Sequence, residues 1–264
     1  MIKLNGHIIE QKTFPDGSSL LPKIRGSEYA DEIQWYFEDN SELWTLICLK
    51  KHLNSLGDKV ILYLPYVPHS RMDRVKTYGE IFTLKHFCDI INHLNFEEVM
   101  VTDPHSNVMT ALLDRCYVQS IQMLIEEAIN DCKPDLLFFP DEGSHKRSEA
   151  TSLIPSIFGI KKREWETGEI KGLDIIGEIP NKPFNVLMVD DICSYGGTFY
   201  HSALKLKELG ANNISLYVTH CENSILSGSF TDKKIPLLDT GLIDKVYTSD
   251  SIFTKEHPKI VVLK

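Results

Sequence analysis

The run Asn185-Val-Leu-Met-Val-Asp-Asp-Ile-Cys-Ser-Tyr-Gly-Gly-Thr198 leaves its chain few ways to fold. Residues 185–189 form an apolar strand of the kind buried on both faces, which belongs inside a parallel sheet. Two carboxylates stand at its carboxyl end, and Gly196-Gly197-Thr198 then makes a tight turn into a helix starting near Thr198. Backbone N–H groups of a glycine turn at a helix N-terminus cradle a phosphate. Asp190 and Asp191 can reach ribose hydroxyls or a hydrated Mg²⁺. The stretch therefore predicts an α/β chain with a sugar-phosphate site.

The remaining pattern agrees. Helices are expected over 42–56, 82–94, 121–130 and 199–209, and strands over 59–64, 99–102, 135–139, 185–189, 214–218 and 259–263. Thr102-Asp103 after one strand echoes Asp190-Asp191 after another, which has two readings: two similar halves meeting near Tyr117–Ser120, or the likeness of any two βα units. Residues 161–177 are charged, carry Gly168 and Gly172 and show no apolar period, so a hairpin or mobile loop is expected there. A net charge of −9 argues against general nucleic-acid or anionic-membrane binding. Phosphate chemistry in so acidic a chain calls for a divalent cation or local Lys/Arg clusters. The six cysteines form no close pair, and residues 1–10 read as no secretion signal, so reduced thiols in a cytoplasmic protein are expected. No apolar run approaches the ~20 residues that span a bilayer.

Four further clusters fit sugar-phosphate chemistry. Asp103 and His105 follow a strand, where a neutral imidazole could ligate a metal or bond a phosphate oxygen. Phe139-Pro-Asp-Glu-Gly-Ser-His-Lys-Arg147 places Asp141 at a strand end with Lys146 and Arg147 behind it. Leu64-Pro-Tyr-Val-Pro-His-Ser-Arg-Met-Asp-Arg74 holds two guanidinium forks, which suit a triphosphate. Phe14-Pro-Asp-Gly17 has the chemistry of a turn.

The phosphate loop resembles that of type I phosphoribosyltransferases. With the other clusters in this order, plus Lys161-Lys-Arg163 and Thr219-His-Cys221, nearly the whole chain resembles the ribose-phosphate pyrophosphokinases, or phosphoribosyl-pyrophosphate (PRPP) synthetases. The resemblance implies two phosphoribosyltransferase-like domains, each a mainly parallel sheet flanked by helices. The N-terminal one (1–118) would be the ATP side, and the C-terminal one (119–264) would carry the ribose-phosphate loop. It implies a transferase that moves the diphosphate of MgATP to the anomeric hydroxyl of ribose 5-phosphate. Phe14, Asp16, Arg71, Asp73, Arg74 and His105 would serve ATP, Phe14 and Asp16 reaching the adenine of a neighbouring subunit in a homo-oligomer. His105 and Asp141 would hold Mg²⁺. Asp141, Asp190, Asp191, Ser194, Tyr195, Gly196, Gly197 and Thr198 would bind the ribosyl phosphate. Lys161 or Lys162, with Arg163, would stabilise the diphosphate in flight.

The chain departs from that pattern. Ser194 and Tyr195 stand where the family's loop carries Asp and Thr, and Ser18 stands where it tends to have Glu. A first βα unit and a C-terminal helix are also expected to be missing. Tyr195 motivates an alternative acceptor, ADP-ribose, which would give ADP-ribose pyrophosphate in NAD salvage. A type I phosphoribosyltransferase would share the loop but has no use for the Arg71–Arg74, His105 and Lys161–Arg163 clusters together. A non-catalytic regulatory homologue need not retain Lys161–Arg163, His105 and Asp141.

Overall fold

The structure, a computed structural model, describes residues 1–24, 31–141, 143, 154–163, 170–181, 183–228 and 235–264, with the backbone alone for 161–163 and 170–173. Contacts divide the chain into two compact units, Met1–Ser120 and Ile121–Lys264. Both are α/β, each a mainly parallel sheet flanked by helices.

In the first unit the strands are β1 (Ile2–Leu4), β2 (His7–Ile8), β3 (Lys12–Thr13), β4 (Ser19–Leu20), β5 (Asp31–Trp35), β6 (Val60–Leu64), β7 (Glu98–Thr102) and β8 (Cys116–Gln119). The main sheet runs β2-β1-β5-β6-β7-β8 and is parallel from β5 to β8. Helices α1 (Glu42–Leu56), α2 (Thr83–His93) and α3 (Asn107–Leu112) fill the three crossovers. Strands in sequential spatial order with right-handed crossovers place all three helices on one face. Leu46, Leu49 and Leu53 recur at helical spacing and bury against Val60, Leu62 and Leu64. Gly57, at φ 85°, ends α1 by donating its N–H to the last carbonyls.

The second unit comprises α4 (Gln122–Cys132), β9 (Leu136–Phe139), β10 (Ser156–Arg163), β11 (Ile170–Ile176), β12 (Phe184–Cys193), α5 (Gly197–Glu208), β13 (Ala211–Cys221), β14 (Lys245–Ser249) and β15 (Ile260–Leu263). Its sheet runs β11-β10-β9-β12-β13-β14-β15, parallel except for β10 with β11. The continuous apolar strands divide by parity. Phe138, Val186, Met188 and Val218 join the core beneath α5, while Phe139, Leu187, Val189 and Tyr217 join the core beneath α4.

Several boundaries differ from the sequence reading. The strand expected to stop at Val189 continues to Cys193, because β12 keeps its register with β13 as far as Cys193 opposite Cys221. Asp190 and Asp191 thus lie within the strand's last turn of pleat, and the helix begins at Gly197. Of the two readings of 161–177, the hairpin is found: β10 and β11 pair antiparallel, with residues 164–169 outside the described set. Strands β5, β8 and β14 were not anticipated by the apolar pattern.

Candidate functional site

The second unit builds its site at the carboxyl ends of neighbouring strands, where parallel sheets present their loops. Asp191 is buried and Asp190 half-buried at the end of β12, and the Asp190 carboxylate accepts the Asp191 N–H at 3.0 Å. Asp141, half-buried, stands just beyond β9, the strand paired beside β12. A Cβ on Gly143 would sit 3.3 Å from its Oδ1, so the chain passes close to that carboxylate.

The loop from Ser194 to Thr198 turns through Gly196, which has φ 87° and caps α5. A Cβ there would lie 2.7 Å from Leu237 Cδ2, so glycine is required on both conformational and steric grounds. The Tyr200 N–H bonds the Gly196 carbonyl at 2.9 Å and opens the helical ladder. The N–H groups of the first helical residues, beginning Gly197 and Thr198, have no carbonyl a turn earlier within the helix, an arrangement suited to an anion. Ser194 Oγ donates to Glu222 Oε2 at 2.7 Å, and the Tyr195 side chain is 45% exposed. Cys193, beside the loop, is buried with Cys221, and burial pushes its thiol well up, which makes it packing and not a nucleophile.

The first unit gathers a different cluster. The loops after the paired strands β6 and β7 enclose a cavity of about 270 Å³ lined by Arg71, Met72, Asp73, Arg74, Lys76, Glu80 and His105. Asp73 is 4% exposed and accepts Arg74 Nε at 2.7 Å and Nη2 at 2.9 Å. That forked bond first, then burial working against it, leaves the Asp73 carboxyl below the usual carboxylate range. Two residues of these loops hold left-handed backbone, His69 at φ 64° and Asp103 at φ 40°. Such strain costs on the order of 1–3 kcal/mol each and concentrates at binding sites.

The Phe14-Pro-Asp-Gly turn closes through Gly17 N–H to the Phe14 carbonyl at 2.9 Å. Asp16 accepts both the hydroxyl of Ser18 (2.6 Å) and its N–H (2.9 Å), which lower its carboxyl, while the Phe14 ring is 49% exposed. Ser18 thus ties the Asp16 carboxylate into its own turn.

Lys161, Lys162 and Arg163 lie at the end of β10, where the register shifts between Lys162 and Arg163. Their side chains are outside the described set, as are Lys146, Arg147 and Gly168 entirely. Arg71, Asp73, Arg74 and His105 come together in one unit, and Asp141, Asp190, Asp191 and Ser194–Thr198 in the other. The sequence reading missed Met72, Lys76 and Glu80 in the cavity, and Glu222 and Ser224 beside Ser194. The spacing of Lys76 behind Arg71 and Arg74 was a usable signal. Glu222, one residue past Thr219-His-Cys221, carried none. Among the described residues no three His, Cys, Asp or Glu group into a metal cage.

No family model matches the chain. It is similar to the ribose-phosphate pyrophosphokinases of Thermococcus kodakarensis (27% identical, over 80% of this chain and 77% of that one) and Hyphomonas neptunium (26%, over 94% and 80%). That of Campylobacter jejuni is 27% identical over 96% of this chain and 82% of its own. The fold matches a crystal structure of phosphoribosylpyrophosphate synthetase from Mycobacterium smegmatis, with TM-score 0.77, 18% identity and coverage of 97% and 85%. The resemblance carried by the motifs therefore extends over most of the chain, in sequence and in fold.

Proposed function

We propose that this chain is an ATP- and Mg²⁺-dependent ribose-phosphate diphosphokinase, which transfers the diphosphate of ATP to the anomeric hydroxyl of ribose 5-phosphate. The observation that carries the reading is the loop of β12 and α5, with its required glycine, backbone cradle and two strand-end carboxylates. Similarity to ribose-phosphate pyrophosphokinases over 80–96% of the chain supports this chemistry among those a ribosyl-phosphate loop can serve.

In this reading the N–H groups at Gly197 and Thr198 take the 5-phosphate, and Asp190 and Asp191 accept the ribose hydroxyls. Arg71 and Arg74 hold the polyphosphate, with Asp73 fixing the fork of Arg74 at two points. Lys161 or Lys162, with Arg163, neutralises charge on the transferring group. Diphosphoryl transfer asks the protein for alignment and electrostatic stabilisation and for little covalent chemistry.

The donor set suits Mg²⁺. Hard carboxylate oxygens at the strand ends, those of Asp141, Asp190 and Asp191, fit an ion that keeps several of its waters. Asp141 would hold it in the second unit, and when bound it would offset charge on the phosphate oxygens. Phe14, exposed on its turn, would meet the adenine across a homo-oligomer interface. The relatives lend no support to ADP-ribose as acceptor, and the exposed Tyr195 is compatible with ribose 5-phosphate. Among the described residues no helix is long and apolar enough to cross a membrane.

The test is AMP release from ATP and Mg²⁺ with ribose 5-phosphate, products identified by mass. PRPP and AMP in equal amounts, abolished by chelator, are expected. Turnover only with ADP-ribose would replace the acceptor, and none with any ribosyl phosphate would sink the enzyme reading in favour of a binding subunit.

A further inference from the structure

Glu222 closes β13 one residue beyond its last paired position, half-buried beside the phosphate loop. Its N–H donates to the Cys193 carbonyl at 2.8 Å, which fastens the end of β13 to the residue that precedes the loop. Its Oε2 accepts Ser194 Oγ at 2.7 Å and Ser224 Oγ at 3.1 Å, and the two hydroxyls lie 3.2 Å apart. A serine hydroxyl has one proton to give, and a bond to a carboxylate is stronger than one between neutral groups. Ser194 therefore spends its proton on Glu222, and the first residue of the loop is tied to the neighbouring strand.

We infer that Glu222 is the carboxylate anchor of the phosphate loop, a positioning residue that acts through Ser194. The loop's own first position carries a neutral hydroxyl, and a carboxylate is held against it from the residue after β13. One end of the loop then presents donors, at the start of α5, and the other is backed by a fixed charge. A ribosyl phosphate is oriented by that polarity, phosphate toward the N–H groups and hydroxyl-bearing ring toward the carboxylates. The inference rests on the proposed function and deepens it for the acceptor site.

The test measures ribose 5-phosphate and ATP dissociation constants, together with AMP release, for the parent chain, Glu222→Ala, Glu222→Gln, Ser194→Asp and the double variant Ser194→Asp/Glu222→Ala. Glu222→Ala is expected to weaken ribose 5-phosphate about tenfold, the loss of one charge-assisted bond, and to leave ATP within about twofold. Ser194→Asp alone sets two carboxylates against each other and weakens the acceptor similarly. The double variant, which returns a single carboxylate to the loop, recovers binding to within about threefold of the parent. Unchanged acceptor affinity in Glu222→Ala, or a double variant no better than either single one, overturns the inference. If Glu222→Ala fails to fold, the isosteric Glu222→Gln carries the same comparison, and unchanged affinity there overturns it. A parent chain that neither binds ribose 5-phosphate nor releases AMP sinks the functional reading and this inference with it. A parent that turns over while the Glu222 variants match it sinks the inference alone.

Discussion

At Gly196 the absence of one methyl group decides whether the chain can make the turn into α5. The backbone there has φ 87°, and an added Cβ would press to 2.7 Å from Leu237 Cδ2. Gly196→Ala is expected to destabilise the chain by about 1–3 kcal/mol and to weaken ribose 5-phosphate while sparing ATP. Thermal melting and equilibrium binding check both halves, and an alanine variant with the parent's stability would show that the loop adjusts freely. Asp73 makes a second case, because its depressed carboxyl couples stability to pH. A folded value below the unfolded one, near 4, means that its contribution is whole above that value and fades as pH falls through the lower one. Arg74 is 66% exposed on its side chain, so solvent screens the pair and its contribution at neutral pH is small. Asp73→Asn should therefore lower the urea midpoint at pH 7 and approach the parent as pH drops below about 4. It should also raise the KM for ATP, because Arg74 loses its two-point hold.

Among the elements, those with a single reading along the chain were legible. The strands β9, β12 and β13 are apolar at successive positions, and α1 places leucines at helical spacing, so each announces itself. β14 was hidden because, of its four buried positions, only Val246 is purely apolar, while Tyr247, Thr248 and Ser249 carry polar groups satisfied by partners far along the chain. Tyr247 donates to Asp131 at 2.6 Å, and Thr248 and Ser249 donate to the Thr219 carbonyl at 3.2 and 2.6 Å. β5 opens on a buried Asp31 that takes the Asn5 amide at 2.7 Å, a contact no local pattern reveals. The hairpin of β10 and β11 was legible only as an alternative to a loose loop, since charged residues at its end mask the pairing. For that element the prediction concerns rate. Lys161→Ala or Lys162→Ala, whichever lysine meets the transferring group, should collapse kcat with little change in ATP affinity, as expected of an interaction made in the transition state. Single-turnover AMP release with ATP binding measured in parallel separates the outcomes. Lost ATP affinity at unchanged kcat would show that the hairpin holds substrate and does not act in transfer.

On the scale of the molecule, the candidate site was readable wherever its residues cluster in sequence at a strand end, as at Asp190–Thr198 and Arg71–Arg74. It was unreadable where one segment completes another, as Glu222 completes Ser194 from a different strand. The acidic balance of −9 is likewise no guide to the sites, because at the cavity Arg71, Arg74 and Lys76 outnumber Asp73 and Glu80. The two units share no hydrophobic core: the first packs around Leu62, and the second has two cores, the larger around Leu216. Both leucines are fully buried, and truncating such a residue costs about 2–5 kcal/mol. If each unit folds on its own core, Leu62→Ala should lower one component of the calorimetric unfolding profile by roughly 8 °C or more and leave the other in place. Leu216→Ala should do the converse, and ribose 5-phosphate should raise only the component that Leu216→Ala lowers, because a ligand stabilises the fold it binds. Equal displacement of the whole profile by both substitutions would mean that the chain unfolds as one cooperative block, with the boundary after Ser120 a feature of contacts and not of folding.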